Sequence, residues 1–263
     1  MRAKAFFKTR FAVRPGRESQ GDHWLGGAGH YQGANCPNCG RPLLLVLDIN
    51  CEDPILRKAC RGKLNALQRL PLYLCARCLC ELSYSVDREG KVTIVQTRYA
   101  NPGSEQYSEY PDSFHRIPVA LDSSIPASLP KIIEKWNVDV DLKGEKLSKD
   151  ERELLEEFFG HPIFVPRYMY HHQLGGESLW EAWDENAFYC PNKQCPSGMA
   201  DEPMQRGRPM KFLAGILNDP PGGLPLIEPL TNSTSKNWNY FVSFYFQICD
   251  KCLTVTAFSA WEC

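Results

Sequence analysis

Eight of the twelve cysteines in this chain fall into short spaced pairs, a pattern typical of metal binding. The pairs are Cys36/Cys39, Cys75/Cys78, Cys190/Cys195 and Cys249/Cys252. Zinc binds four thiolates tetrahedrally, and two residues between cysteines let a tight turn aim both sulfurs at one ion. We expect the first two pairs to form one structural Zn²⁺ site and the last two pairs to form another.

The remaining cysteines, Cys51, Cys60, Cys80 and Cys263, fit neither set of four. Cys80 follows Cys78 by two residues and could replace it as a ligand, although the match of Cys78 to Cys252 favours Cys78. Otherwise such residues are typically small buried apolar side chains. For the eight paired cysteines, disulfide pairing is the alternative. The basic N-terminus has no apolar signal region, which favours a reducing, cytoplasmic location and metal binding.

Composition narrows the classes of function. The formal net charge is −1, so no overall field draws the chain to nucleic acid or to an anionic membrane. No run approaches the roughly 18 to 20 apolar residues that span a bilayer, so we expect no membrane partner. Motifs of common hydrolases and nucleotide-binding enzymes are missing, and an ion held by four sulfurs has no position left for water. We therefore expect a protein that is not an enzyme.

The surroundings of the cysteines repeat. His-x-Leu-Gly-Gly begins at His23 and again at His172, "RPLLLVLDIN" corresponds to "RPMKFLAGILND", and "LPLYLCARC" corresponds to "FYFQICDKC". Apolar and polar residues alternate on both sides of Cys75/Cys78 and of Cys249/Cys252, which predicts two β-hairpins with a metal knuckle at each tip. We interpret the chain as a tandem duplication. The histidines beside the second Gly-Gly, His171 and His172, could be ligands or catalytic groups, but a role in the turn is favoured.

The predicted fold class is α+β, mostly β, with two zinc-knuckle sheet units joined by a helical bridge. The predicted domains are 1–98, 99–170 and 171–263. The N-terminal stretch reads either as a basic arm or, preferably, as a strand that buries its apolar residues Phe6, Phe7, Phe11 and Val13.

The segments between the cysteine pairs differ. The first predicts a helix, with Asp53 as its N-cap, Pro54 at its first position and Leu56, Leu64, Leu67 and Leu70 near helical spacing. The second, "PPGGLPLIEPLTNSTSKN", predicts a surface loop. In the bridge, "NPGSEQYSEYPDSFHRIP" predicts irregular structure, whereas "SLPKIIEKW" and "LSKDERELLEEFFG" predict helices. Ser148 and Glu151 form a capping box for the last of these.

The stretch "HQLGGESLW", a following cysteine pair, "MKFLAGIL" and a strand ending in "CDKC" together resemble a known family. It comprises the bacterial relatives of programmed cell death protein 2 and of the twenty-S rRNA accumulation proteins. The resemblance is clearest from His172 to Cys252 and weaker from His23 to Val86. It implies a binding protein: eukaryotic members are escorts of a nascent small-subunit ribosomal protein, and bacterial members are associated with polymorphic toxins and their neutralisation.

These observations favour a zinc-stabilised module that binds a protein partner, either a toxin or an escorted client. The alternative is binding of RNA or DNA through the knuckles. Basic residues of the N-terminal stretch and of the first insertion, Arg57, Lys58, Arg61, Lys63 and Arg69, would then contact phosphates.

Overall fold

The computed structural model describes residues 4–28, 31–75, 78, 80–98, 113–123, 132, 148–159, 172–176, 189–195, 209–216 and 241–262. Both predicted domain boundaries adjoin or fall within undescribed stretches, so the three-part division stays a prediction. The fold class is confirmed: strand is the main regular structure of the described residues, and all strands join one sheet.

The sheet has eleven antiparallel strands in the order β4-β3-β2-β7-β1-β8-β9-β10-β11-β5-β6. The strands are β1 (Arg10–Pro15), β2 (His23–Gly27), β3 (Leu44–Asn50), β4 (Arg69–Leu74), β5 (Glu81–Val86), β6 (Val92–Arg98), β7 (Phe114–Asp122), β8 (Gln173–Gly175), β9 (Lys211–Ile216), β10 (Phe241–Ile248) and β11 (Val255–Glu262). The sheet curls, so that β4 comes close to β5 and β11.

The two units pair their strands in the same register. Leu25 of β2 lies opposite Leu47 of β3, and the matching residue of β8, Leu174, lies opposite Ala214 of β9. The pairing register also shifts at the same place in each unit. The shift lies between Leu45 and Leu47 of β3 and between the matching residues Phe212 and Ala214 of β9. This agreement supports the duplication inferred from the sequence, although common descent of the two units stays a prediction.

Each repeat is preceded by a strand, β1 or β7, and each of these strands pairs with the other repeat. β1 comes before the first repeat in the chain but pairs with β8 of the second, while β7 comes before the second but pairs with β2 of the first. β1 and β7 pair with each other at the centre of the sheet, where Arg14 lies opposite Ala120. The two repeats are thus joined by exchanged strands. The strand predicted for the N-terminal stretch is confirmed, and Phe6, Phe7, Phe11 and Val13 are all buried.

One of the two predicted hairpins is wrong. β10 and β11 pair on either side of Cys249/Cys252 as expected, with Ile248 opposite Val255. β4 and β5 are not paired, because Pro71 has no N–H and the Tyr84 hydroxyl lies between the strands. That hydroxyl accepts a hydrogen bond from Tyr73 N at 2.8 Å and donates one to Pro71 O at 3.2 Å. β5 instead pairs with β11 and β6.

The first insertion contains a shorter helix than its apolar spacing predicts. Helix α1 (Pro54–Cys60) has the predicted N-cap, where Asp53 Oδ1 accepts hydrogen bonds from the backbone N–H groups of Ile55 and Leu56 at 2.6 and 3.3 Å. It ends because Arg61 adopts the left-handed conformation, with φ +51°. Leu64 and Leu67 are buried beyond the helix, and Leu70 belongs to β4.

The bridge supplies one predicted helix and one strand that was not predicted. Helix α2 (Lys149–Phe159) has the expected capping box: Ser148 N donates to Glu151 Oε2 at 2.7 Å, and Glu151 N donates to Ser148 Oγ at 3.2 Å. The interpretation of 101–118 as irregular is wrong from Phe114 onwards, since β7 pairs on both sides. Of the predicted helix at 128–136 only Ile132 is described, and the predicted loop at 220–237 lies outside the described residues.

One continuous apolar core runs through both units. It includes Leu47 and Tyr73 from the first unit and Leu213 and Phe246 from the second. A small separate cluster gathers Met210 with the cysteines of the second unit. Among the described residues, neither helix has the length and apolar character needed to cross a membrane.

Candidate metal centres

The predicted cysteines come together in two groups of four. The first contains Cys36, Cys39, Cys75 and Cys78, and the second contains Cys190, Cys195, Cys249 and Cys252. Within each group all sulfur atoms lie within 4.8 Å of one another. These are the two clusters of potential metal ligands found in the part of the chain that the structure describes. The fold thus brings together the two pairs from each half, as the sequence predicts.

The sulfur separations fit tetrahedral coordination. Cys36 and Cys78 are 3.9 Å apart, and Cys39 and Cys75 are 3.7 Å apart. In the second cluster Cys190 to Cys252 is 3.5 Å and Cys195 to Cys249 is 3.6 Å. Zinc–sulfur bonds of about 2.3 Å in a tetrahedron place sulfurs about 3.8 Å apart, whereas a disulfide requires about 2.05 Å. The described cysteines are free thiols, and each cluster could hold one metal ion.

Tight turns aim the sulfurs. Cys36 N donates to Arg41 O and Gly40 N donates to Cys36 O, both at 2.8 Å. The same two hydrogen bonds recur around Cys249, in which Leu253 takes the place of Gly40. Gly40 and Leu253 have φ values of +71° and +57°, and this left-handed residue turns the chain back toward the following segment. Leu253 accepts an unfavourable conformation to make the turn.

Polar side chains contact the outer side of each cluster. Asn38 Nδ2 donates to Cys78 Sγ at 3.1 Å. In the second cluster Asn192 Nδ2 donates to Thr254 Oγ1 at 3.2 Å, and this hydroxyl lies 3.1 Å from Cys252 Sγ. Hydrogen bonds of this kind orient metal ligands and stabilise thiolate charge. The two Cys-Pro-Asn sequences could have drawn attention to these asparagines, whereas Thr254 carries no sequence signal.

Hydrogen bonding among the thiols shifts their pKa values in opposite directions. The pKa of Cys36 is lowered, first because the Cys75 thiol donates a hydrogen bond to it, and the pKa of Cys75 is raised by the same hydrogen bond. Hydrogen bonding with Cys190 likewise lowers the pKa of Cys252, and the pKa of Cys190 is raised, first by its hydrogen bond with Cys249. Hydrogen bonding thus favours ionisation of one sulfur in each cluster over ionisation of its partner. A divalent ion would allow all four to be thiolates.

The extra thiols have different surroundings. Cys51 and Cys60 are buried in the core, and burial raises the pKa of each to about 12. Cys80 is also buried, in the same core cluster as Cys36 and Cys75. Cys78, rather than Cys80, completes the group of four mutually close sulfurs. Cys263 lies outside the described residues.

Of the histidines near the Gly-Gly turns, the structure describes His23 and His172, and neither belongs to a cluster. His23 Nε2 is 3.0 Å from Asp53 Oδ2, and His23 Nδ1 accepts a hydrogen bond from Asn50 N at 3.1 Å. His172 is buried and its carbonyl accepts a hydrogen bond from Val13 N, whereas His171 lies outside the described residues. These contacts agree with the structural role favoured from the sequence.

A buried ionic network in the first unit was not predicted. Asp48 is buried and accepts hydrogen bonds from the Arg69 guanidinium, with N–O distances of 3.1 and 2.8 Å, and from the Tyr31 hydroxyl. Arg69 also pairs with Asp22 at 2.9 Å. Arg69, which the sequence assigned to a possible nucleic-acid surface, is therefore engaged inside the fold. The matching position for Asp48 in the second unit is Gly215, so the repeat pattern gave no sign of this network.

Comparisons with family models, with curated proteins and with solved structures give no match to this chain. The family resemblance therefore stays a prediction that rests on the sequence motifs quoted above.

Proposed function

We propose that this protein is a zinc-stabilised module that binds another protein and performs no reaction of its own. The observation that supports this most directly is the completeness of the two sulfur sets. Four thiol groups converge in each cluster at separations suited to a tetrahedral ion. Soft thiolates in this geometry favour zinc among the common cellular metals, with iron as the main competitor.

Complete coordination argues for a structural role of the ions. A catalytic zinc keeps one position open for water or substrate, and four cysteines leave no such position. The ion would instead contribute folding free energy, of order 10 kcal/mol for a structural zinc site. Each ion would fasten the segments that carry its two cysteine pairs. Reduced thiols of this number suit the cytoplasm, which we propose as the location.

The partner we propose is a protein, either a toxin that this chain neutralises or a client that it escorts. The family resemblance suggests both roles. Two large apolar side chains of the described surface offer contact points: Ile55 of α1 is 56% exposed, and Tyr189, directly before Cys190, is 42% exposed. Exposed apolar and aromatic groups on rigid supports are common anchors of protein interfaces.

The test combines metal content with partner capture. We expect elemental analysis of the purified chain to give two zinc ions per molecule, and affinity capture to recover one stoichiometric protein. The Tyr189→Glu and Ile55→Glu variants should lose that protein and keep both ions, whereas a Lys58→Glu control on the same helix should keep the protein. Recovery of general chaperones alone, with unchanged capture by the Glu variants, would contradict a dedicated protein partner.

The second candidate function is RNA or DNA binding, which one specific observation favours. Lys63 and Lys211 come from different units but lie near each other: Lys63 Nζ donates to Phe6 O, and Phe6 N donates at 2.9 Å to the carbonyl of Phe212, the residue after Lys211. Pro209 lies opposite Tyr189, and alternation along the strand places Lys211 on the same face as Pro209. Two lysines beside an exposed aromatic ring suit a phosphate backbone and a stacked base. Lys211 Nζ is paired with Asp250 Oδ2 at 2.7 Å, so a phosphate would share this lysine with a carboxylate.

Salt dependence separates the two candidates. A complex with nucleic acid should weaken steeply between about 50 and 200 mM salt, because cations released from the phosphates drive its formation. Lys63→Gln and Lys211→Gln should each reduce this salt dependence. A complex that is insensitive to salt and to both substitutions would leave the protein partner as the remaining candidate.

A further inference from the structure

An exposed arginine is stacked on a tryptophan beside the Gly-Gly turn of the first unit. Arg116 of β7 is exposed, and its Cζ lies 3.7 Å from the centroid of the Trp24 ring of β2, which is 9% exposed. In the part of the chain that the structure describes, the Arg116 guanidinium takes part in no hydrogen bond or ion pair. Stacking uses the face of the guanidinium, so its N–H groups, which lie in the plane, stay available to an anion.

Contacts on both sides hold this stack in place. The Trp24 ring is fixed at its edge, where Nε1 donates to Asp22 Oδ1 at 2.7 Å. Asp22 Oδ2 in turn accepts a hydrogen bond at 2.9 Å from Arg69 of the ionic network. The stem of Arg116 lies over the turn, since a Cβ on Gly27 would meet its carbon atoms at 3.4 to 3.6 Å. The guanidinium is thus positioned before a partner arrives, which reduces the conformational entropy lost on binding.

The second unit provides an internal comparison. The residue just before the one that lies opposite the leucine of each His-x-Leu-Gly-Gly is Arg116 in the first unit and Arg10 in the second. Arg10 also lies against its turn, since a Cβ on Gly176 would meet the Arg10 Cβ at 2.7 Å. It is partly buried, however, and Gln173 stands where the first unit has Trp24. An arginine that covers the turn is therefore a shared structural feature, whereas the exposed stack is specific to the first unit.

The charges around the stack favour a carboxylate of a protein over a phosphate backbone. Asp22, which holds the edge of the same tryptophan ring, has a side chain that is 59% exposed. A nucleic acid carries a negative phosphate at every nucleotide, so this carboxylate would repel the phosphates next to one bound at Arg116. A protein surface can place a single carboxylate there. Arginine and tryptophan are also enriched among the residues that contribute most to protein interfaces.

We propose that Arg116, stacked on Trp24, is an anchor point for an aspartate or glutamate side chain of the protein partner. The carboxylate lies at the edge of the guanidinium and accepts two parallel hydrogen bonds from its N–H groups, the usual geometry of arginine–carboxylate pairs. Trp24 holds the guanidinium flat while this pair forms. The inference rests on the proposed protein-binding function and adds the chemistry of the partner, whose contact surface carries an acidic group.

A zero-length cross-link tests the contact directly. Affinity capture with the wild-type chain first supplies the partner. Arg116→Lys then places an amine at this position, and a water-soluble carbodiimide joins an amine to a carboxylate that touches it. Mass spectrometry of the digested complex should find residue 116 joined to an Asp or Glu of the partner. Arg88→Lys makes the same change at an exposed position between β5 and β6 and should give no cross-link at residue 88. A complex that forms without a cross-link at residue 116 would overturn the proposal.

Affinity measurements separate this inference from the proposed function. Titration calorimetry with the captured protein should show affinity lower by about tenfold or more for Arg116→Gln, with Arg88→Gln equal to wild type. Arg116→Glu should recover affinity for a partner in which the cross-linked acid is replaced by lysine. Because Arg116 is exposed, its variants should keep the wild-type metal content and melting temperature.

The outcomes are distinct. If the wild-type chain captures no protein, the proposed function fails and this inference fails with it. If it captures a protein that Arg116→Gln binds as tightly, only this inference is overturned. Capture of RNA or DNA that is lost in Arg116→Gln would also overturn it, since the anion at Arg116 would then be a phosphate.

Discussion

His23 is a buried polar residue whose contacts are structural. Its ring is 1% exposed, Nε2 faces the Asp53 carboxylate, and Nδ1 accepts the Asn50 N–H. Since Nδ1 accepts a backbone hydrogen bond, the second proton of an imidazolium has no place there. Asp53 at the same time caps α1, so one carboxylate connects the Gly-Gly turn with the helix of the first insertion.

We expect His23 to make the folded state sensitive to mild acid. Burial, which outweighs the hydrogen bond with Asp53, lowers the pKa of His23 below its usual 6.5. Above pH 6.5 the residue is neutral in both states and stability is unaffected by it; as pH falls below 6.5, the unfolded chain takes up the proton first, and stability declines until the folded pKa is reached. Urea unfolding of the metal-loaded protein between about pH 5 and 8 measures this decline.

The matched comparison uses two histidine variants. His23→Asn should be less stable at neutral pH by about 1–3 kcal/mol, because the Asn50 N–H loses its acceptor, but should lose less further stability on acidification. His115→Asn, which changes an exposed histidine, should follow wild type. Equal acid sensitivity of wild type and His23→Asn would show that other groups, such as the metal thiolates, account for the whole decline.

At the scale of single residues the sequence predicts which cysteines come together but not the side chains that contact them. Cysteine spacing is a local property, and the turn geometry that it implies recurs around Cys36 and Cys249. The contacts of Asn38 with Cys78 and of Asp53 with His23 join residues 40 and 30 positions apart. No local pattern specifies such contacts, because they depend on how the curled sheet brings the segments together.

The Gly-Gly turns that end β2 and β8 explain why the sequence repeats His-x-Leu-Gly-Gly. Gly26 and Gly175 have φ values of +69° and +66°, and a Cβ on either would meet a neighbour: the His115 carbonyl in the first turn and the Phe7 ring in the second. Each glycine thus permits both a left-handed residue and the close approach of the exchanged strand or its flanking residues.

Gly175→Ala should be strongly destabilising. The left-handed conformation costs a residue with a Cβ about 1–2 kcal/mol, and displacement of the buried Phe7 adds about 1–3 kcal/mol. Gly40→Ala is the control, because Gly40 has φ +71° but open space around a Cβ, so only the conformational cost applies. Chemical denaturation of both variants measures the difference. Equal losses would contradict a role for close packing at the second Gly-Gly turn.

The repeat pattern predicts strands β4 and β5 but not that they stay unpaired. Alternating residues correctly predict both strands, and the paired β10 and β11 match the expected hairpin. Two strands that follow each other in the chain pair only if their facing edges offer backbone N–H and C=O groups. Pro71 has no N–H, so this edge of β4 lacks one donor. In the first repeat the Tyr84 hydroxyl then bonds to the β4 backbone, whereas in the second repeat β10 and β11 pair directly.

Tyr84→Phe should loosen this side of the sheet. The Tyr73 N–H would lose its acceptor in a buried position, which costs about 1–3 kcal/mol. Hydrogen exchange followed by mass spectrometry or NMR should show faster exchange of the Tyr73 amide, while Leu25, on the interior strand β2, stays as protected as in wild type. Unchanged exchange at Tyr73 would mean that another group, such as water, replaces the hydroxyl.

Considered as a whole, the molecule is more connected than a tandem repeat requires. The repeat pattern predicts two units, each with its own ion, but it does not predict which unit a flanking strand joins. β1 and β7 each complete the sheet of the opposite unit, and Ser83 of β5 contacts Thr256 of β11 at 2.8 Å on the other side. The apolar core is likewise shared. These contacts should couple the two halves energetically.

We therefore expect damage at one metal centre to destabilise the entire sheet. Cys249→Ala removes a sulfur of the second centre. Loss of the zinc ion proposed for that centre should lower the melting temperature by more than 10 °C, since about 1 kcal/mol corresponds to 2–4 °C in a chain of this size and a structural zinc is worth several kcal/mol. Differential scanning calorimetry should still record one transition with equal calorimetric and van't Hoff enthalpies, because the exchanged strands β1 and β7 cannot leave one unit without opening the other. Cys60→Ala, a buried thiol outside both clusters, should cost far less. Two transitions in Cys249→Ala, one of them at the wild-type temperature, would mean that the first unit folds by itself and that the shared sheet does not couple the halves.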